Sequence, residues 1–262
     1  MEPNRTLAIN TGNTYEFDVD QNGFPAFTQK NVEFVTAIIG YDSNYSSASD
    51  ENNYESIFAE PNFWSLTKLD KAVESIDRIN STHLASEGSA VKGGQGREIT
   101  TEFIRDIGGD TLKERLMSAD SSLVTEIAAA VQTKYNFSFA TKFCAYASRY
   151  ALGIDNYCIY DKVVQTVLPY FYYVYVDGEG YREFYRTKKT KENESTVDTK
   201  FRGRDIQDGY AQYRNCVDDI IAGIAKKCGI CVTYEQFDHV LWYCFKGSNI
   251  RVKEALNCLP LK

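Results

Sequence analysis

Lys142 and Asp161 are the pair of residues in this sequence whose types and spacing suggest chemistry. A lysine amine attacks an electrophilic carbon only when neutral, and desolvation against apolar walls favours that form. An aspartate at a helix N-terminus stays ionised, and it can stabilise a developing cation or handle protons. Lys142 sits near the start of the stretch Asn136-Phe-Ser-Phe-Ala-Thr-Lys-Phe-Cys-Ala-Tyr-Ala-Ser-Arg149. Its apolar positions Phe139, Phe143 and Tyr150 recur at helical spacing. Asp161 follows nineteen residues later, ahead of Lys162-Val-Val-Gln-Thr-Val-Leu168, at a typical N-cap position. An antiparallel return of the chain would set its carboxylate beside the amine. The same two residues also read as a partly buried salt bridge, with Asp161 an ordinary cap, and structural pairs outnumber catalytic ones.

The elements around this pair read as mostly helical. Trp64, Leu66, Leu69, Ala72, Val73, Ile76 and Ile79 recur at helical spacing. Ile99, Phe103, Ile104 and Ile107 form a second stripe, broken at Gly108-Gly109, and Leu112, Leu116 and Met117 a third. Ser122 is expected to cap a helix whose inner face is Leu123, Ile127, Ala130 and Val131. Lys134 to Phe137 is a candidate hairpin. Ile206, Tyr210, Val217, Ile220, Ile221 and Ile224 mark a long helix ending at Gly229. Thr233 and Gln236 form a capping box for a helix through Phe237, Val240, Leu241, Cys244 and Phe245, closed by Gly247.

Other segments are less regular. Val32 to Ile39 suits a strand or a buried segment. The Ser/Asn/Asp-rich run from Asp42 to Asn53 and the glycine-bearing run from Ala85 to Arg97 read as loops. Tyr170 to Arg186 is ambiguous between a helix and a hairpin turning at Asp177-Gly-Glu-Gly180, and 187–204 reads as a polar loop. The expected architecture is mainly α. An acidic N-terminal segment with short extended pieces occupies 1–60, and a helical domain occupies 61–262.

Composition bounds the function classes. The chain has 262 residues, 43% hydrophobic and 25% charged, which excludes collagen-like, low-complexity and wholly disordered classes. No apolar run approaches the roughly 20 residues of a membrane span, and no apolar signal core follows Met1. Seven cysteines, an odd number in a long chain, suit a reduced cytosolic protein. The net charge of -7 is local in origin: residues 1–60 hold ten acids and two bases, the remainder 26 acids and 27 bases. Between Arg182 and Arg204 eight Lys/Arg stand against four acids. Local charge steers a polyanion more than the total does, so nucleic acid remains open as a partner. That basic run also reads as a plain solvated loop. Cys228-Gly-Ile-Cys231 follows a helix rather than opening one, unlike a thioredoxin pair. With Cys216 and Cys244 it makes a loose spacing for a metal, so reduced buried thiols are expected and no metal is assigned. His239 reads as a surface histidine.

A hairpin, a helix beginning near a lysine, and an aspartate about twenty residues on at a helix cap resembles the helix-hairpin-helix DNA glycosylases. The run Phe139-Ala-Thr-Lys142-Phe-Cys-Ala-Tyr146-Ala-Ser-Arg149 is similar to the lysine helix of the archaeal 8-oxoguanine DNA glycosylase branch. Ile159-Tyr160-Asp161 resembles that family's segment before its catalytic aspartate. Phe237-Asp-His-Val-Leu-Trp242-Tyr-Cys-Phe-Lys-Gly247 is similar to a Leu-Trp helix of related bacterial proteins. Where the family has Leu-Pro-Gly-Val-Gly, this chain has Thr133-Lys-Tyr-Asn-Phe-Ser138. The resemblance implies a helix-hairpin-helix glycosylase-like fold that excises a damaged or modified base from double-stranded DNA, in repair or anti-phage defence. It implies Lys142 as the Schiff-base nucleophile, Asp161 as its acid/base or electrostatic partner, and no cofactor. Tyr146, Tyr160 and Trp242 would be the candidates to stack a flipped base, and Arg149 to contact a phosphate. Each of the three aromatics also reads as core. The alternative on the same fold is a non-enzymatic nucleic-acid- or protein-interaction module.

Overall fold

The computed structural model describes residues 5–8, 14–39, 56–60, 63, 68–80, 95–176, 180–189, 195–199, 201, 206–246 and 248–260. In chain order the elements are β1 (Arg5–Ala8), β2 (Thr14–Phe17), α1 (Gln29–Ile39), α2 (Leu69–Asn80), α3 (Gln95–Ile107), α4 (Gly109–Met117) and α5 (Ser121–Ala129). There follow α6 (Phe137–Tyr146), α7 (Lys162–Tyr175), β3 (Tyr185–Lys189), β4 (Ser195–Thr199), α8 (Gly209–Cys228), α9 (Tyr234–Phe245) and α10 (Asn249–Asn257). Among the described residues the fold is mainly α, with two short antiparallel ribbons, β1–β2 and β3–β4. None of the described helices is long and apolar enough to cross a membrane.

The chain forms two compact units. One holds residues 46–160 and 202–212; the other holds 1–45, 161–201 and 213–262. In the first unit α6 packs on α5 and α2, and α3 packs on α2, α4 and α5. Leu69, Ala72, Val73 and Ile76 give α2 a fully buried stripe, as the spacing predicts. Trp64, Leu66 and the side chain of Ile79 lie outside the described residues, as do the expected loop at 42–53 and the larger part of that at 85–97. The stripe on α3 is shifted: Thr100, Thr101 and Ile104 are buried, while Ile99, Phe103 and Ile107 are half-buried. Gly108 separates α3 from α4 with φ +83°, a conformation glycine reaches without strain.

The cap of α5 is Asp120 rather than Ser122. Its carboxylate accepts from the Ser122 backbone N–H at 2.9 Å and from the Ser122 hydroxyl at 2.8 Å. Asp120 stands one residue before the helix with extended backbone, where a cap must be, whereas Ser122 already lies inside. Arg115 then ties the α4–α5 corner, donating to Asp120 at 2.6 Å and to Glu126 at 2.7 Å.

In the second unit α7 packs against α9 and α10, and α1 packs on α9. Aromatic rings make this core: Phe27 stacks on Phe237 at 5.6 Å, and Phe171 meets Phe245 edge-on at 5.7 Å. The segment Val32–Ile39 is helical, as part of α1, with Asn31, Val32 and Val35 facing inward. Its β-branched residues suit a strand locally, and the α1–α9 packing overrides that weak preference. The N-terminal turn is tied to α7 by polar bonds. The Tyr170 hydroxyl donates to Asp20 at 2.5 Å, and the Tyr175 hydroxyl accepts from the Phe27 N–H at 3.1 Å.

The ambiguous stretch after Tyr170 resolves into the end of α7, a 3-10 turn Gly180–Glu183 and β3. Part of the expected polar loop at 187–204 is instead the β3–β4 ribbon, with Tyr185 opposite Thr199 and Lys189 opposite Ser195. A ribbon of polar residues carries no hydrophobic alternation, so its pairing leaves no periodic signal. The end where Tyr185 pairs with Thr199 is held by aromatic contacts: Phe184 packs on Tyr172 at 5.0 Å and on Phe201 at 5.5 Å. The long helix α8 starts at Gly209, after Ile206, and ends before Gly229 at φ +71°. Thr233 and Gln236 form both bonds of the expected capping box. The residue expected to close α9, Gly247, lies outside the described residues.

Candidate functional site

Every residue from Phe139 to Arg149 is buried. A helix buried on all sides ordinarily carries no charged side chain. Lys142 is the exception on α6, with 5% of its surface exposed. Its amine donates to the Ser138 hydroxyl at 3.2 Å, one turn earlier on the helix. Burying an amine costs free energy that a stable fold does not require.

The candidate hairpin before α6 is a turn over 130–136. The Asn136 N–H donates to the Ala128 carbonyl at 2.8 Å, and the Lys134 N–H to the Val131 carbonyl at 3.1 Å. Asn136 stands at the helix N-cap without a side-chain cap bond.

After Tyr146 the helix passes into a π-turn, Ala147–Ala151. Such turns insert one extra residue and are frequent at functional sites. Arg149 lies in this turn, buried, and its Nε donates to Asp155 at 2.7 Å. The guanidinium expected to contact a phosphate is therefore engaged in an internal ion pair. Tyr146 is 5% exposed and stacks on Tyr150 at 5.9 Å.

The chain then returns without helix from Gly153 to Tyr160, and it is pinned at every second residue. The Ile154 N–H donates to the Ser148 carbonyl at 3.0 Å. The Asn156 amide donates to the Leu116 carbonyl at 2.8 Å. The Cys158 N–H donates to the fully buried Tyr210 hydroxyl at 3.0 Å. The Tyr160 N–H donates to the Thr141 hydroxyl at 3.1 Å. Burial, followed by the neighbouring Cys158, pushes the Tyr210 phenol well above its ordinary range, so it serves here as a fixed neutral post. The Tyr160 ring packs edge-on against Phe137 at 5.0 Å and is 2% exposed. It belongs to the core.

Asp161 opens the second segment, 161–201, of the other unit. It is 8% exposed, and its carboxylate accepts from the Val164 N–H at 2.9 Å, the cap bond expected at the head of α7. Trp242 lies on α9 in that unit, half-buried, with the Lys246 amine 5.2 Å above its ring. The six expected site residues thus divide: Lys142, Tyr146, Arg149 and Tyr160 share one unit, while Asp161 and Trp242 belong to the other.

His239 is not on the surface. It is 5% exposed because α9 is buried on nearly all sides, from Phe237 to Phe245. All seven cysteines are free: Cys144, Cys158, Cys216 and Cys244 are buried, and Cys231 is exposed. Among the described residues no cluster of His, Cys, Asp or Glu has the makings of a metal site.

One surface cleft, of about 420 Å³, lies beside α2 and α3 and includes none of the six. Two of the acids that line it are engaged with arginines: Arg105 meets Asp70 at 3.1 Å, and Arg97 reaches Glu74 at 3.6 Å. Position 141 was missed in the sequence. A threonine in mid-helix signals only a weak helix former, and its link to Tyr160 exists only after folding.

No protein-family model, no curated protein and no solved structure matches this chain.

Proposed function

We propose that this chain is a DNA glycosylase that excises a damaged or modified base from double-stranded DNA through a lysine Schiff base. The observation that carries the reading is the burial of Lys142 on a helix otherwise enclosed by the core. Covalent catalysis by a lysine needs an amine held at a fixed place out of bulk water, where a flipped sugar can meet it. The resemblance of the α6 run and of Ile159-Tyr160-Asp161 to the helix-hairpin-helix glycosylases points the same way.

In this reading the target nucleotide is rotated out of the duplex. The Lys142 amine bonds to the sugar anomeric carbon as the bond to the base breaks, and the base leaves with that electron pair and takes up a proton. The amine gives up a proton, the bond from the anomeric carbon to the ring oxygen breaks as that oxygen takes up a proton, and a protonated Schiff base joins lysine to sugar. Asp161 stabilises the oxocarbenium-like charge and accepts the proton. Loss of a sugar proton then expels the 3′ phosphate and nicks the strand. Repair and anti-phage defence would both use such a reaction.

Borohydride trapping tests this. The protein is incubated with duplexes bearing 8-oxoguanine, an abasic site or a hypermodified base, with Lys142→Ala beside it. A covalent adduct that disappears in the variant is expected. Folded wild-type protein that gives no adduct and releases no base with any duplex would replace this reading with the interaction module.

A further inference from the structure

The bond between the Thr141 hydroxyl and the Tyr160 N–H joins the residue before Lys142 to the residue before Asp161. We infer that Thr141 is a positioning residue for the lysine chemistry, an assignment that rests on the glycosylase reading above. Thr141 is fully buried, and its single hydroxyl serves two bonds. It accepts from Tyr160 at 3.1 Å and donates to the Ser138 carbonyl at 3.1 Å. Ser138 is the residue whose own hydroxyl receives the Lys142 amine. One side chain therefore fixes the end of the returning strand against the same helical turn that holds the amine.

The effect of losing this hydroxyl is confined. The returning strand keeps its bonds at Ile154, Asn156 and Cys158, each to a different partner. The bond lost is that of the Tyr160 N–H, at the last step before Asp161. Misplacement of a reacting group by about 1 Å costs about 100-fold in rate, so a local release is enough to be measured. Packing alone would not need the hydroxyl, because valine fills nearly the same volume.

The test is single-turnover borohydride trapping on a duplex bearing an abasic site, with rates taken per folded molecule well below the melting midpoint. Thr141→Val is expected to slow trapping by about 10-fold to 100-fold, with the affinity for the same duplex unchanged. Thr141→Ser, which keeps the hydroxyl, is expected to trap within about twofold of wild type, since its donor and acceptor remain. Thr141→Ala runs alongside as a second variant without the hydroxyl and with no bulk to misfit. Wild-type rates in the valine or alanine variant overturn the assignment while leaving the glycosylase reading in place. A serine variant as slow as valine also overturns it, because the methyl group would then be what matters. Wild-type protein that forms no adduct brings down both.

Discussion

The Thr141 hydroxyl accepts the Tyr160 backbone N–H at 3.1 Å, nineteen residues across the chain. This one bond closes a loop made of α6, the π-turn and the returning strand. The loop is otherwise irregular, and its order comes from side chains that reach backbone groups: Asn156 to Leu116, Tyr157 to Arg115 and Asp120, and Tyr210 to Cys158. Buried backbone groups must find partners, and a strand with no sheet neighbour finds them in hydroxyls and amides.

Asp161 has two separable roles, capping α7 and bearing a charge. Asn caps a helix about as well as Asp, so Asp161→Asn keeps the fold within about 1 kcal/mol of wild type. It removes the carboxylate, and the expected loss in base-release rate is about 100-fold or more. Asp161→Ala loses both roles and is expected to be less stable by about 1 kcal/mol. Thermal melts and single-turnover base release on the same three proteins separate the effects. An asparagine variant with wild-type rates leaves Asp161 as a cap alone.

Asp155 holds the buried Arg149 guanidinium. Removing one partner of a buried pair weakens the compensation of the charge that remains, and Asp155→Ala is expected to destabilise the protein by about 3 kcal/mol. Denaturant unfolding measures this. A loss below about 0.5 kcal/mol, the range of ordinary surface changes, would mean that Arg149 does not depend on this bond.

Acid stability carries a contribution from Asp18. Its carboxyl lies below its ordinary value of 3.8, chiefly because the Thr28 hydroxyl donates to it, with burial opposing and Lys30 assisting. A carboxyl depressed in the folded state adds stability that is complete above the unfolded value. That stability is lost as pH falls through the folded value. Between about pH 5 and pH 2, wild-type stability is therefore expected to fall more steeply than that of Asp18→Asn. Parallel slopes in a pH series of urea melts would exclude the linkage.

Thiol accessibility follows burial. Cys144 and Cys244 are fully buried, and burial pushes the Cys244 thiol up to about 12. With a disulfide-exchange reagent at pH 8, Cys231 is expected to react first, and Cys144 and Cys244 only on unfolding. Seven equivalents are expected in denaturant. A lower total would reveal a disulfide or a bound metal.

Gly223 on α8 lies against the Tyr175 backbone carbonyl, so closely that a Cβ there would overlap it. Neither group can move without shifting a helix, so Gly223→Ala is expected to cost about 2 kcal/mol as an overpacking change. A neutral or raised melting temperature would refute the close approach.

What the sequence by itself determined is local. The cap at Asp161, the capping box of Thr233 and Gln236, the stop at Gly229 and the stripe on α2 each depend on residues within one or two turns. Lys142 was legible as an unusual residue on an apolar helix for the same reason. Only the tertiary structure decided the rest. Val32–Ile39 is helical because α1 packs on α9, not because its residues prefer a helix. His239 is buried because α9 is covered on nearly every side, and periodicity counts only the apolar positions. The β3–β4 ribbon is polar but for Tyr185 and Val197, so its pairing shows no hydrophobic alternation. Thr141 meets Tyr160, and Gly223 meets Tyr175, through contacts that span many residues and leave no local mark. Propensity and capping act over about one helical turn, whereas burial and long-range hydrogen bonds arise only when distant segments are brought together.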